Sequence, residues 1–541
     1  MSDPPAASAP GEVHAPSSRL GKVARGGVLM LGGSGLEAVF GYALALVAAR
    51  LLGKHDFGLL NIGWQAITLA VIVSELGVPM AVMRYVAVYD GENDAAGAKG
   101  VAFSGTAFAG ALGVLIALVL AVGARTVAER FFHKPDLAPI LPIMALQLPI
   151  VAVSVTLLRV TQARGTMRYR VLVEKLLLPA SRLLFIGLLV GLGFGLKGAA
   201  WGSTLACLTC LAAAAYFTAA LARRAWGAAR PRWRELFRVL AYAVPLVLSA
   251  VALFGRRRGI ILALGISGTA GDVGLYAAAE RTALAGAMGL NAIGSIFSPI
   301  AADLYHRKQH AELHGILKTS AAWIVMVVLP GAVFLAFFAS EVMGTFGKDF
   351  PAGYVALAIL AAAQIVNCTF GSVDYLFAMA AKQWIAVIDL SVFALASMGL
   401  TFWLAPRYGV VGAAVAGAIG LLGPRATRVV EVAVLMRMNP FGAGHLRIAA
   451  CVIPSALLAL VWREVFAGVV PAHAFWWLFA PAYVVLYLAL LPVLAREELN
   501  GLLSVVRRRR RRGAPTEEPQ PAPDELPPPS TSPSADEDVA D

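Results

Sequence analysis

Charge is scarce in this chain: Asp, Glu, Lys and Arg together make up 14% of its 541 residues, against roughly a quarter in an ordinary soluble domain. The complement is 59% hydrophobic residues and a mean hydropathy of +0.74, which excludes a soluble fold because that much apolar surface cannot be hidden from water. Cysteine is also scarce. The four, Cys207, Cys210, Cys368 and Cys451, all fall in apolar segments, so no extracellular disulfide framework is implied. The C-x-x-C spacing of Cys207 and Cys210 reads more simply as two small buried residues than as a metal or redox pair. No G-x-x-x-x-G-K-[ST], H-E-x-x-H or G-x-S-x-G occurs, which leaves no visible seat for ATP hydrolysis or other catalysis. No catalytic residue, metal or cofactor is therefore expected. The Pro/Ala/Ser-rich first 24 residues have no apolar core, so the first spanning helix would act as an uncleaved anchor.

What the chain does have is a succession of apolar runs longer than the 18 or so residues that read as a membrane-spanning helix. They predict an all-α polytopic membrane protein of fourteen spans. The parts are a disordered cytoplasmic N-terminus at 1–25, a first lobe at 26–221, a basic linker at 222–238, a second lobe at 239–436, two further spans within 437–495, and a polybasic then acidic Pro-rich tail at 496–541. The net charge of +13 is not spread evenly: residues 513–541 carry eight acids and no base, leaving +21 on the rest. With the N-terminus cytoplasmic, 29 of the 45 Lys and Arg fall on the cytoplasmic side, nine on the other and seven within spans. The positive-inside rule then places both termini in the cytoplasm. The basic charge therefore reports topology, and nucleic acid is not an expected partner. Arg507 to Arg512 fit an anchor on anionic lipid, and His306, His310 and His314 at four-residue spacing fit a solvated helix better than a metal site.

The chain also repeats itself. Asp56-Phe-Gly58-Leu59 is matched by Asp272-Val-Gly274-Leu275, Gly195-Leu-Lys-Gly198-Ala-Ala by Gly409-Val-Val-Gly412-Ala-Ala, and Phe131 to Pro135 by Phe346 to Pro351, at a nearly constant offset. Three matches at corresponding topological positions predict one six-helix unit used twice, in a six plus six plus two architecture. Because six is even, the pseudo-axis runs along the membrane normal, and halves so related enclose a central cavity and alternate its access.

Seven arginines lie in the spans: Arg182, Arg256, Arg257, Arg258, Arg281, Arg425 and Arg428. Each costs at least about 2.5 kcal/mol at mid-helix, so each faces a partner or a wet cavity. Consecutive helical residues stand about 100° apart, so Arg256 to Arg258 fan over about 200° and cannot address one point. One or two can face a cavity while another pairs with an acid such as Asp374 or Asp389. Arg425, Arg428 and Glu431 form one row, for which an internal Arg428–Glu431 ion pair is an equal alternative. A preference for guanidinium over ammonium suits an anionic, phosphate-bearing substrate, because the fork binds phosphate bidentately. Glu37, Glu280 and Asp374 are the candidates for proton or sodium coupling.

Residues 47–61, Val-Ala-Ala-Arg-Leu-Leu-Gly-Lys-His-Asp-Phe-Gly-Leu-Leu-Asn, resemble the Wzx-like oligosaccharide flippases of polysaccharide biosynthesis, a branch of the multidrug/oligosaccharidyl-lipid/polysaccharide exporter superfamily. Glu75 to Tyr85, Asp272 to Arg281 and Phe297-Ser-Pro299-Ile support the resemblance, which covers about residues 20–495. It implies two six-helix lobes around a basic cavity and movement of a polyprenyl-pyrophosphate-linked oligosaccharide (an O-antigen, capsule or exopolysaccharide unit) across the bacterial cytoplasmic membrane. It also implies ion coupling, membrane lipids as surroundings, and polymerase or export proteins as partners. One departure is the Arg256 to Arg258 run, where relatives often carry an acid. Two alternatives stand beside this reading: a cation-coupled multidrug antiporter of the same superfamily, which would want an acidic cavity, and a membrane glycan polymerase or ligase, which would want a large outward loop.

Overall fold

The computed structural model describes residues 16–227, 229–286, 303–304, 307, 309–370, 383–436, 443–466 and 475–500. The described residues are helical almost throughout and contain no strand. The principal helices are α1 (Pro16–Glu75), α2 (Val78–Gly91), α3 (Ala95–Val122), α4 (Gln147–Ala163), α5 (Leu178–Leu189), α6 (Gly195–Trp226), α7 (Leu236–Ser267), α8 (Ala270–Gly286), α9 (His310–Phe337), α10 (Tyr354–Thr369), α11 (Gln383–Met436), α12 (Ala443–Phe466) and α13 (Phe475–Leu494). Among the described residues, seven stretches are long and apolar enough to cross a membrane, or eight when the bent pair Leu236–Ala243 and Leu246–Ser267 is taken as one. Three of these, Gly32–Glu75, Met167–Trp226 and Ile388–Glu431, run 44, 60 and 44 residues. About 20 residues suffice for one crossing. Each is interrupted by glycine with non-helical backbone, at Gly53, at Gly193 and Gly195, and at Gly409. Met167 begins a helical turn that continues into α5, so Arg170 and Lys175 stand on helix.

The sequence repeat is a conformational repeat. Gly195 adopts φ 53°, ψ −139° and its counterpart Gly409 φ 55°, ψ −134°, a region nearly closed to residues with a Cβ. Three residues on, a methyl on Gly198 would approach the Leu189 backbone, and one on Gly412 would meet the Leu404 carbonyl at 2.6 Å. The two motifs thus make the same tight hairpin between successive helices in both halves of the chain. Gly409→Val should strain that hairpin by about 1–3 kcal/mol, read as a lower melting temperature in detergent, whereas Gly399→Ala, in open space on the same helix, should leave it unchanged.

The repeated Asp-x-Gly-Leu motifs lie against each other. A Cβ on Gly58 would collide with the Ala270 carbonyl and one on Gly274 with the Lys54 carbonyl, so α1 and α8 touch backbone to backbone where the two halves meet. Side chains reinforce this end of the bundle. The buried Lys134 ammonium donates to the carbonyls of Gly265, at 2.5 Å, and Gly268, at 2.9 Å, and burial lowers its pKa against the pull of Asp272. Arg50 Nε donates to the Thr345 carbonyl at 2.6 Å, and Phe57 packs edge-on against Phe350 and Tyr42 against Phe346.

The opposite end carries the basic segments. There the stretch before α7 is strapped across α2 and α3: Arg232 pairs with Asp94, Tyr89 donates to Glu235 and accepts from Arg238, and Gly100 leaves room for the Arg232 backbone. Burial and the Glu235 carboxylate raise the Tyr89 pKa, which keeps its hydroxyl a donor. The last two helices, α12 and α13, pack on the flank of α9, where Tyr483 and Tyr487 donate to the carbonyls of Pro330 and Met326.

Candidate functional site

Midway between the two ends, charged side chains from both halves converge. Arg281, on α8, reaches out of its own half to donate to the Gly41 carbonyl of α1 at 2.9 Å. Its electrostatic neighbours are Arg258, Glu280 and Arg182. Arg258 Nη1 stands 3.9 Å from Glu280 Oε2, with Arg258 41% and Glu280 18% exposed at the side chain. Arg182, on α5, completes the group from the first half, its Nη2 3.9 Å from the sulfur of Cys207. Cys207 in turn lies 3.8 Å from Gln147 Oε1, and Gln147 donates to Ser203 at 2.6 Å and to Thr204 at 3.1 Å. The buried polar row behind Arg182 therefore fixes one side of the group. Cys207 and Cys210 are free and buried.

Three guanidinium groups against one carboxylate leave the cluster with a surplus of two positive charges. Such a site attracts a dianion and repels an organic cation. Taking a fully hydrated phosphate into it is favourable only if both forks replace lost water contacts bidentately, which arginine geometry permits.

The arginine triplet of α7 divides. Arg258 joins the central group, whereas Arg256 has Arg257 and Arg428 as its charged neighbours. Arg257 is exposed. A second basic group thus forms within the C-terminal half: Arg425 Nε donates to Asn367 Oδ1 at 2.9 Å, and Arg428 has Asp389 and Glu431 as charged neighbours. Glu37 takes no part in either group, since Lys175 pairs with it at 2.7 Å. Asp374 lies outside the described residues, as does His306 of the histidine row.

Trp64 is the member that the charge pattern did not indicate. Its ring faces both Arg182, whose Cζ is 5.7 Å from the ring centroid, and Arg281, at 5.9 Å. It lies eleven residues beyond the Gly53 break of α1, roughly 16 Å along the helix at 1.5 Å per residue. Tryptophan prefers the membrane interfaces, so its depth was the available signal.

Repeated halves of glycine-hinged apolar helices, meeting at one end and holding arginines between them, define a polytopic helical transporter fold. Residues 23–305, more than half of the chain, match the family model described as polysaccharide biosynthesis protein, and the chain belongs to that family. Among solved structures, the fold is similar to that of the lipid II flippase MurJ in an inward closed conformation, at 12% identity and TM-score 0.67 over 87% of this chain and 100% of that one. It is also similar to an inward-facing multidrug resistance MATE family transporter of the MOP superfamily, at 16% identity and TM-score 0.59 over 74% of this chain and 96% of that one. No curated protein sequence matches the chain significantly.

Proposed function

We propose that this protein is a flippase that carries a polyprenyl-pyrophosphate-linked oligosaccharide from the inner to the outer leaflet of the bacterial cytoplasmic membrane by alternating access. The observation that carries this reading is the group of Arg182, Arg258 and Glu280 around Arg281, contributed by both halves. Bound between the halves, a pyrophosphate would neutralise the surplus charge while its glycan occupies water and its prenyl chain stays in lipid. Membership of a polysaccharide biosynthesis family supports the same cargo.

In this reading the chain crosses the membrane fourteen times with both termini cytoplasmic. Residues 26–221 and 239–436 are the rocking lobes, 222–238 links them, and 437–495 adds two crossings. The end held by Gly58, Gly274 and Lys134 faces outward. Glu280 is the coupling candidate with a place in the arginine group, because protonating it would raise the site's positive charge and tighten its hold on an anion. Polymerase or export proteins would receive the cargo.

Deleting the gene should remove the glycan from the outer leaflet while its lipid-linked precursor accumulates inside, and re-expression should restore exposure. Normal glycan export in the deletion strain, combined with lost drug efflux, would favour an antiporter instead.

A further inference from the structure

Glu75 is an acid in an apolar span that neither arginine group uses. It is the last residue of α1 and partly buried, and the helix breaks immediately after it: Leu76 stands at φ 44° and Gly77 at φ 73°. A leucine in the left-handed region is strained, and such strain persists where the surroundings impose it, often at switch regions. The surroundings here include the second half, because a Cβ on Gly77 would stand 2.4 Å from the Ala243 carbonyl of α7. Just beyond, the Tyr85 and Tyr242 rings pack edge-on at 6.0 Å, and Arg84 Cζ lies 4.4 Å from the Tyr242 centroid. Glu75 is therefore two residues from a place where the halves touch at the end opposite Gly58 and Gly274.

The charged groups that face it belong to the first half. They are Arg159 of α4 and Glu174 of the helical stretch before α5. Glu174 accepts from Arg170 Nε at 2.8 Å, and next to it Lys175 pairs with Glu37. Gln162 Oε1 accepts from Arg159 Nη1 at 3.0 Å and from Arg170 Nη1 at 3.1 Å. Among the described residues, then, Arg170, Glu174, Lys175 and Glu37 have ionic partners, whereas the buried Arg159 Nε has no hydrogen-bond acceptor. Arg159 and Glu75, on different helices, are electrostatic neighbours without a bond between them.

An ionised carboxylate in such surroundings is stabilised by closing that pair, whereas a protonated one is neutral and has no such need. The open pair, with Gly77 seated on α7, is the arrangement that suits the protonated acid. We propose that Glu75 is a proton-binding site that controls the inward end of the transporter. Uptake of one proton by its carboxylate lets Gly77 rest against Ala243 and closes that end. Release of the proton to water draws the end of α1 toward Arg159 and parts the halves there. The inference rests on the flippase reading above for which end faces the cytoplasm, and it adds a control of access to that reading.

The test places spin labels at Glu92→Cys and Glu312→Cys, exposed positions in the first and second halves, in the full-length protein in lipid nanodiscs without cargo. The native cysteines are buried. Distances are measured by double electron–electron resonance at about pH 5.5 and about pH 8.5, in potassium and in sodium buffers of equal ionic strength. A conformational equilibrium linked to a proton shifts with pH, so the longer-distance population should grow about tenfold at the higher pH in both buffers. Glu75→Gln should hold the short distance at both pH values, and Glu75→Asp, which still titrates, should keep the response. Arg159→Met should abolish the response even though the acid remains. A wild type that does not respond to pH, a Glu75→Gln or Arg159→Met protein that still does, or a response that follows sodium instead of pH overturns the proposal. Because no cargo is present, each of these outcomes leaves the flippase reading standing; that reading fails separately, through normal glycan export in the deletion strain.

Discussion

Replacing Arg281 with Ala should weaken binding of a prenyl pyrophosphate by about 10- to 100-fold and reduce glycolipid translocation correspondingly. A charge-assisted hydrogen bond contributes roughly 1.5–3 kcal/mol, and each 1.4 kcal/mol is tenfold in affinity. Arg281 is expected to be the most sensitive of the arginines in the central group because it is tied to the opposite half through the Gly41 carbonyl and the Trp64 ring. Losing it removes an anion ligand and a cross-half contact together. Arg281→Lys should recover only part of the loss, since an ammonium keeps the charge but not the fork.

The charge surplus supplies an internal control. Arg281→Ala lowers the cluster from +2 to +1, counted from the charges of Arg182, Arg258, Glu280 and Arg281, whereas Arg281→Ala with Glu280→Gln returns it to +2. Part of the lost affinity should return in the double variant. Further weakening in the double variant would show that Glu280 contacts the cargo or organises Arg258 rather than merely setting the balance of charge. Arg257→Ala, changing an exposed residue beside the second basic group, should leave pyrophosphate affinity within about twofold of the wild type, as expected for a surface substitution.

How much of this could be read in the sequence depends on what each feature needs. The hairpin glycines were legible because a positive φ admits few residues other than glycine, so the same short motif had to recur at Gly195 and Gly409. The division of the Arg256 to Arg258 run followed from the helical angle alone, and among the described residues Arg258 stands beside Glu280. The pairing of Glu37 with Lys175 was hidden because the two stand 138 positions apart and meet only through the packing of their helices. Trp64 was hidden for a different reason. An aromatic residue in an apolar span disturbs no periodicity, and its value comes from two arginines more than a hundred positions away in sequence. Lys134 lies inside the repeated Phe131 to Pro135 motif. Its place among the Gly265 and Gly268 carbonyls depends on how the halves meet, which no local pattern encodes.

Gly58→Leu should block the cycle without emptying the binding site. At this position the would-be Cβ runs into the backbone carbonyl of Ala270, and a backbone collision cannot be relieved by a change of rotamer. Overpacking of this kind costs typically 1–3 kcal/mol. Set against the state in which the halves touch, about 3 kcal/mol would lower its population relative to the alternative by roughly 100-fold. A transporter that cannot close its outward end cannot return to collect cargo, so translocation should fall at least tenfold while prenyl pyrophosphate affinity changes much less than in Arg281→Ala.

The closure itself can be followed with a bifunctional maleimide bridging Arg50→Cys and Thr345→Cys, whose native side-chain-to-backbone contact spans the two halves at 2.6 Å. The four native cysteines are buried, which favours labelling of the introduced pair. Cross-linking should be efficient in the otherwise unmodified chain and strongly reduced by Gly58→Leu. Lys134→Met should reduce it less, because it removes donors from the Gly265 and Gly268 carbonyls without obstructing the approach of the helices. Equal cross-linking in all three proteins would mean that the contact between Gly58 and Gly274 does not control the gap, and the outward gate would have to be sought elsewhere in the repeat.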